Sequence, residues 1–264
     1  MNLQLTGKKA FVSGSTKGIG FAIARMLLKE GVEVILNGRS EGAIGQAKAQ
    51  LLEEHPGSKV SGIPCDFAQS DEVNQLINVL PKVDLLINNV GIYRPGTFFE
   101  ASDADWQDQF EVNVMSGVRL SRQVMPQMLE DQWGRILFIS SECASLVPED
   151  LIPYSMTKTA LHAIARGLAQ MTKGTGVTVN TVLPGSTLSE GAEQFLNEVA
   201  SKEKKTKAEV EQAFFTEVRT SSLLQRFASV DEVASAVVYL CSPLAAATNG
   251  AVLKADGGST GGVM

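Results

Sequence analysis

The chain is poor in residues that hold metals. Its two histidines, His55 and His162, stand alone. Its three cysteines, Cys65, Cys143 and Cys241, form neither a zinc spacing nor a Cys-x-x-Cys redox pair. Buried, reduced thiols are therefore expected, and a metal site is not. No stretch approaches the ~20 apolar residues of a membrane span. The opening MNLQLTGKKAFVSG has a short apolar run broken by two lysines, unlike a signal peptide. Basic excess is also lacking: 23 Lys and Arg face 29 Asp and Glu, a formal net charge of −6. That balance argues against a nucleic-acid surface. There is no repeat and no low-complexity tract. The expectation is a soluble, cytoplasmic protein acting on small molecules, with neither nucleic acid nor membrane as partner.

What is present is an alternation. Short apolar runs, Ala10–Gly14, Val32–Asn37, Lys59–Pro64, Asp84–Asn89, Arg135–Ser140, Val177–Leu183 and Ala251–Ala255, read as strands covered on both faces. Between them lie helical stretches: Ile19–Glu30, stopped by Gly31; Gly42–Glu54; Asp71–Leu80; Ala104–Glu130; Pro153–Thr172; and Val230–Leu240 after a Ser229 cap. Pro126 is expected to bend or interrupt the long fourth helix. The rhythm predicts an α/β fold: one doubly wound domain over 1–264, with a seven-stranded, mostly parallel sheet and helices on both faces. The hydrophilic stretch 190–222 breaks the rhythm. It reads as one or two exposed helices, or as a flap over a substrate pocket.

Three features point to chemistry. The first strand runs into SGSTKGIG, where Gly14, Gly18 and Gly20 suit a tight turn that lets a pyrophosphate approach the backbone at a helix N-terminus. Tyr154 and Lys158 are four residues apart, so they share one helix face, and an ammonium there is expected to lower the tyrosine pKa. Ser141 ends the fifth strand, at the sheet edge where ligands bind in open α/β folds. Ser140 beside it points the other way.

Together these residues resemble the short-chain dehydrogenase/reductase family over roughly Gly7 to Gly258. The motifs follow the family's order: SGSTKGIG, Asp66, NNVG at Asn88–Gly91, Asn113, ISS at Ile139–Ser141, YSMTK at Tyr154–Lys158, Pro184–Gly185 and DGG at Asp256–Gly258. Two positions depart from it: Ser13 replaces the usual Thr and keeps the hydroxyl, and Val90 replaces a frequent Ala.

The resemblance implies a Rossmann-type fold and an NAD(P)(H)-dependent oxidoreductase that moves a hydride between a nicotinamide and a carbonyl or alcohol carbon. Reduction of a 3-oxoacyl thioester is the family-typical example. Tyr154 would be the acid/base, Ser141 the partner of the substrate oxygen, Lys158 the holder of the nicotinamide ribose, and Asn113 the holder of a relay water. Gly14, Ser15, Thr16, Lys17, Gly18, Ile19 and Gly20 would cradle the pyrophosphate. Asn37, Arg39 and Ser40 would meet the adenosine ribose, Asp66 and Phe67 the adenine, and Asn89, Val90 and Gly91 the adenosine side. Pro184, Gly185 and Thr187 would meet the nicotinamide end, with Tyr154 and Lys158.

By position, Tyr93, Arg94, Glu142, Cys143, Val147, Leu151, Ser186 and Leu188 would face a substrate. The second strand ends without an acid, at Asn37-Gly38-Arg39-Ser40, and Lys17 adds a second cation. This favours NADP(H), with NAD(H) possible, because a carboxylate there would repel a 2′-phosphate. A homotetramer or homodimer is expected through the long helices and the last strand, and the C-terminal DGGSTGGVM reads either as a segment that reaches a neighbour or as a flexible tail. A dinucleotide-binding sensor on the same fold is the alternative function, and the complete Ser141, Tyr154, Lys158 and Asn113 set speaks against it.

Overall fold

Ala10, Phe11 and Val12 are completely buried, because the first strand is covered on both of its faces. The structure, a computed structural model, describes residues 2–262. The strands and helices in chain order are β1 (Lys9–Val12), α1 (Gly18–Lys29), β2 (Glu33–Gly38), α2 (Glu41–Glu54), β3 (Val60–Pro64), α3 (Ser70–Val79), β4 (Leu85–Asn88) and α4 (Asp103–Phe110). There follow α5 (Ser116–Glu130), β5 (Trp133–Ile139), α6 (Cys143–Leu146), α7 (Ile152–Met171), β6 (Gly176–Pro184), β7 (Thr187–Leu188), α8 (Glu190–Glu203), α9 (Lys207–Ala213), β8 (Ala228–Ser229), α10 (Val230–Cys241) and β9 (Val252–Ala255).

The sheet has seven parallel strands in the order β3-β2-β1-β4-β5-β6-β9. The order reverses between β1 and β4, and ligands of open α/β sheets bind at such a switch point. Successive residues of each strand serve opposite cores. Val12, Ile87 and Ile139 pack with Leu27, Leu51 and Val237 of α1, α2 and α10. Their neighbours Phe11, Leu86 and Phe138 pack with Leu76, Leu120 and Leu161 of α3, α5 and α7. The helices start where the sequence signals a cap. Ser40 accepts from the Ala43 N–H, and Ser229 and Glu232 form a reciprocal box at the start of α10.

Three expectations change. Helix 104–130 is not interrupted at Pro126, which lies inside α5. Pro126 and Arg122, whose carbonyl the proline leaves without its usual N–H partner, are both exposed. The irregularity falls earlier, as a π turn at Glu111–Met115 that holds Asn113. The stretch 190–222 is indeed helical, but it is not merely a solvated face. Leu196, Ala200, Val210 and Phe215 form a small core with Phe227, and β7 and β8 pair beneath it. The glycine-rich end is not a loose tail through Thr260. Asp256 accepts from the backbone of Gly258 and Thr260, and Ser259 and Thr260 are buried. The last two residues of the predicted tail lie outside the described residues.

Candidate active site

The turn between β1 and α1 is built from its own polar groups. Gly14, at φ +60°, donates its N–H to Asn37 Oδ1 at 2.9 Å. Ser15 Oγ donates to the Val12 carbonyl and accepts from the Asn37 N–H. The hydroxyl of Ser13 accepts from the backbone N–H groups of Asn89 and Val90 at 2.9 and 3.0 Å, which fastens β1 to the NNVG segment. The retained hydroxyl explains why Ser13 can stand in for Thr. Asn89 Nδ2 completes the tie on the Ser13 and Gly14 carbonyls. A Cβ on Gly20 would lie 2.3 Å from the Gly14 oxygen, so only glycine lets α1 fold back so closely. No side chain caps the N-terminus of α1, leaving its N–H groups and positive dipole end for an anion.

Around this turn the predicted dinucleotide residues divide. Asn37 is buried and spent on the turn, Ser40 on its cap, and Asp66 accepts from the Ala68 N–H. Phe67 is buried in the core. Lys17 and Arg39 are exposed, and neither forms an ion pair among the described residues.

The other half of the site comes from β5 and α7. Pro153 sits in the first turn of α7, where its missing N–H costs nothing, and Tyr154 and Lys158 follow one turn apart. Lys158 is buried. Its Nζ donates to the Ile139 carbonyl at 2.9 Å and stands 5.6 Å from the centre of the Tyr154 ring. Burial lowers the Lys158 pKa to about 8. The expected lowering of Tyr154 is not what the protein alone produces. Burial dominates and pushes the phenol up, with the Ser141 hydroxyl working against it. A Cβ on Gly91 would lie 3.2 Å from Lys158 Nζ, so glycine there keeps the ammonium clear of the chain. Asn113, buried on the π turn, clamps Ile92: its Oδ1 accepts from the Ile92 N–H at 2.7 Å, and its Nδ2 donates to the Ile92 carbonyl at 2.8 Å and to Thr157 Oγ1 at 3.0 Å. Ser140 points away from Ser141, as alternation predicts, and binds the Lys158 carbonyl and His162.

One cleft of about 430 Å³ brings parts of the two halves together, and Gly14, Lys17, Gly18, Gly20, Arg39 and Asn113 are not among its walls. Its walls include Ile19, Asn89, Gly91, Ser141, Tyr154, Lys158, Pro184, Gly185 and Thr187, joined by Tyr93, Glu142, Cys143, Leu151 and Ser186. Tyr93 meets the Tyr154 ring edge-on at 5.9 Å. Three residues predicted to face the substrate lie elsewhere. Arg94 is held by Asp105 and Asp108 at the surface, and Val147 and Leu188 are exposed outside the cleft. Burial raises the Cys143 pKa, which keeps its thiol protonated and unreactive. Sequence reading missed Ala192 and Phe195 of α8, Phe227, and Arg219, whose Nε pairs with Glu142 Oε1 at 2.8 Å. The apolar spacing within EGAEQFLNEV was the only local sign of Phe195.

Comparison with known proteins agrees with this geometry. The family model for short chain dehydrogenase matches residues 8–200. An uncharacterised oxidoreductase, YvaG of Bacillus subtilis, is 45% identical over 258 residues, 98% of each chain. A 3-oxoacyl-[acyl-carrier-protein] reductase of Aquifex aeolicus is 32% identical, across 98% of this chain and 99% of that one. The structure of L-sorbose reductase from Gluconobacter frateurii, complexed with NADPH and L-sorbose, superposes over 100% of both chains with a TM-score of 0.92 at 30% identity. The chain belongs to the short-chain dehydrogenase/reductase family and is an NAD(P)-dependent oxidoreductase with that family's Rossmann-type fold. The sensor alternative finds no support among these relatives.

Proposed function

We propose that the protein is an NADP(H)-dependent reductase of a ketone, working in reverse as an alcohol dehydrogenase, with Tyr154 as its general acid and base. The observation that carries this reading is the shared cleft, lined by Ser141, Tyr154 and Lys158 together with Ile19 of the glycine turn and Asn89, which ties that turn to β4. The residues fit a dinucleotide, because the tight glycine turn ends at a start of α1 that no side chain caps, where free N–H groups would meet a pyrophosphate. When bound, the cofactor supplies the hydride.

The protein's own residues do the rest. Ser141 and Tyr154 hold the substrate oxygen, and Tyr154 delivers its proton to that oxygen as the carbonyl carbon becomes a carbinol. In the reverse direction Tyr154 takes the proton back. Lys158 holds the nicotinamide ribose, and its charge stabilises the tyrosinate left behind. Asn113 positions the Ile92 backbone beside Lys158 and binds the relay water. Lys17 and Arg39, both unpaired with acids, receive the 2′-phosphate that distinguishes NADP(H). The NADPH of the sorbose reductase complex supports that choice.

The segment 190–222 closes over the substrate through Ala192 and Phe195. The protein works as a homotetramer or dimer. Its support is a groove between α5 and α7 lined by the exposed Met171 and the half-buried Leu129, Ile164 and Leu168. A monomer mass in light scattering would overturn the assembly. It acts in the cytoplasm, in line with the lack of any helix long and apolar enough to cross a membrane among the described residues. The test of the central reading is a cofactor-oxidation screen over a panel of ketones and aldehydes with NADPH and with NADH. No oxidation of either cofactor by any member would overturn it.

A further inference from the structure

Glu142 is an unusual residue to find beside a catalytic serine. It is only 3% exposed, yet it lines the cleft next to Ser141. One of its oxygens is fully engaged: Oε1 accepts from Arg219 Nε at 2.8 Å and from Ser186 Oγ at 3.0 Å. The other, Oε2, is buried and has no hydrogen-bond partner among the described residues. Arg219 is itself held, with its guanidinium 5.8 Å from the centre of the Phe214 ring and its side chain 15% exposed.

A buried carboxylate is acceptor-only, and leaving one of its oxygens unpaired is costly. The mechanism above uses Ser141, Tyr154 and Lys158 and makes no use of Glu142. The charge of Glu142 is already balanced by Arg219, so the open oxygen calls for a donor without adding a call for a cation. A neutral hydroxyl supplies that donor. An anionic substrate gains nothing there, and a purely apolar one leaves the oxygen unpaired, a loss that selects strongly in a site built to hydrogen-bond.

We propose that Glu142, fixed by Ser186 and Arg219, is a specificity-determining residue that accepts a hydrogen bond from a hydroxyl near the reacting carbon. The substrate class is then a neutral hydroxylated ketone, or the corresponding polyol in the oxidative direction. This inference rests on the ketone reductase reading of the same cleft. It also gives the 190–222 segment a second task, because Arg219 ties that segment to the residue that reads the substrate.

The test compares ketones of equal size that differ by one hydroxyl. Hydroxyacetone and 2-butanone form one such pair, and 1-hydroxy-2-butanone and 3-pentanone a second, longer one. With NADPH the native enzyme is expected to show kcat/KM at least tenfold higher for the hydroxylated member of at least one pair. The Glu142→Gln variant places an amide donor where the open acceptor stood, and its ratio is expected to fall at least fivefold toward unity. Arg219→Lys keeps the charge without the planar fork and is expected to lower the ratio as well. A residue with a merely structural role would depress both members of a pair alike and leave the ratio in place. Comparable turnover of both members of each pair by the native enzyme would overturn the inference and leave the reductase reading intact. That outcome needs no variant to fold. Cofactor oxidation by neither member of either pair, nor by any other carbonyl, would overturn both readings together.

Discussion

The Lys158 ammonium stands 5.6 Å from the centre of the Tyr154 ring while donating to the Ile139 carbonyl on β5. It is thus anchored to the sheet rather than to the phenol. The protein alone leaves Tyr154 protonated at neutral pH, since burial holds its pKa above the ordinary value. Such a tyrosine is ready to act as an acid in the direction of ketone reduction. Tyr154→Phe is expected to lower kcat by about 10²–10⁴-fold, the usual worth of a general acid, while NADPH affinity stays within a few-fold in fluorescence titration. Near-normal turnover by the variant would remove Tyr154 from its role.

The depressed pKa of Lys158 has a consequence for stability. The folded protein releases this proton near pH 8, whereas the unfolded chain keeps it to about 10.5. Between those values the unfolded state binds more protons, so the contribution of this group to stability rises with pH. Below pH 8 its full penalty is present. Lys158→Met removes the penalty and abolishes the charge. The stability of the variant minus that of the native protein is therefore expected to shrink as pH goes from 8 to 10.5. Tyr154 is common to both proteins and cancels in the difference. Urea melts at closely spaced pH values measure it, and a difference that grows across this window would contradict the assignment.

The choice of cofactor rests on two free cations. Arg39→Ala combined with Lys17→Ala is expected to raise the KM for NADPH at least tenfold and to leave that for NADH within about twofold, because charge-assisted phosphate bonds are the strong ones. Native enzyme that prefers NADH in kcat/KM would sink the cofactor reading. A preference for NADPH that survives the double substitution would keep the reading and discard its explanation.

Val147 closes α6 in the left-handed region, at φ 45° and ψ 65°. A β-branched residue is strained there, and asparagine tolerates the region better. Val147→Asn is expected to stabilise the protein by about 1 kcal/mol, seen as a melting temperature higher by roughly 2–4 °C. The side chain lies outside the cleft and is 48% exposed, so little packing is lost. A lower melting temperature would show that the backbone there is not strained.

The 190–222 segment is expected to move as one body, because α8 and α9 share a small core of their own. Amide exchange across α8 and α9 is expected to be faster than across β5 by at least tenfold and to slow when NADPH and a turnover substrate analogue are added. Exchange as slow as in β5 without ligand would rule out a flap.

Much of this molecule is written in short-range signals. Alternating apolar runs and helical stripes placed the seven strands, because a strand covered on both faces is mostly apolar whatever its partners. Gly14, Gly18 and Gly20 marked the tight turn between β1 and α1, and Ser40 and Ser229 marked their helix starts, since a turn or cap is settled within a few residues. That Ser141, Tyr154 and Lys158 line one cleft was legible for a similar reason, each being tied to a strand end or a helix face.

What the sequence could not decide lies in contacts between distant segments. The exposed position of Pro126 and the π turn at Asn113 depend on how α5 packs, so a local proline rule misplaced the break. The rise in the Tyr154 pKa comes from burial by many elements, which no spacing of Tyr154 and Lys158 encodes. The fastening of Ser13 to Asn89 spans 76 residues, and the pairing of Glu142 with Arg219 spans 77. Residue spacing along the chain determined which groups could share a helix face or a turn. Only the packing of the sheet and of the segment that carries Arg219 decided which carboxylate was buried and which of its oxygens was left without a partner.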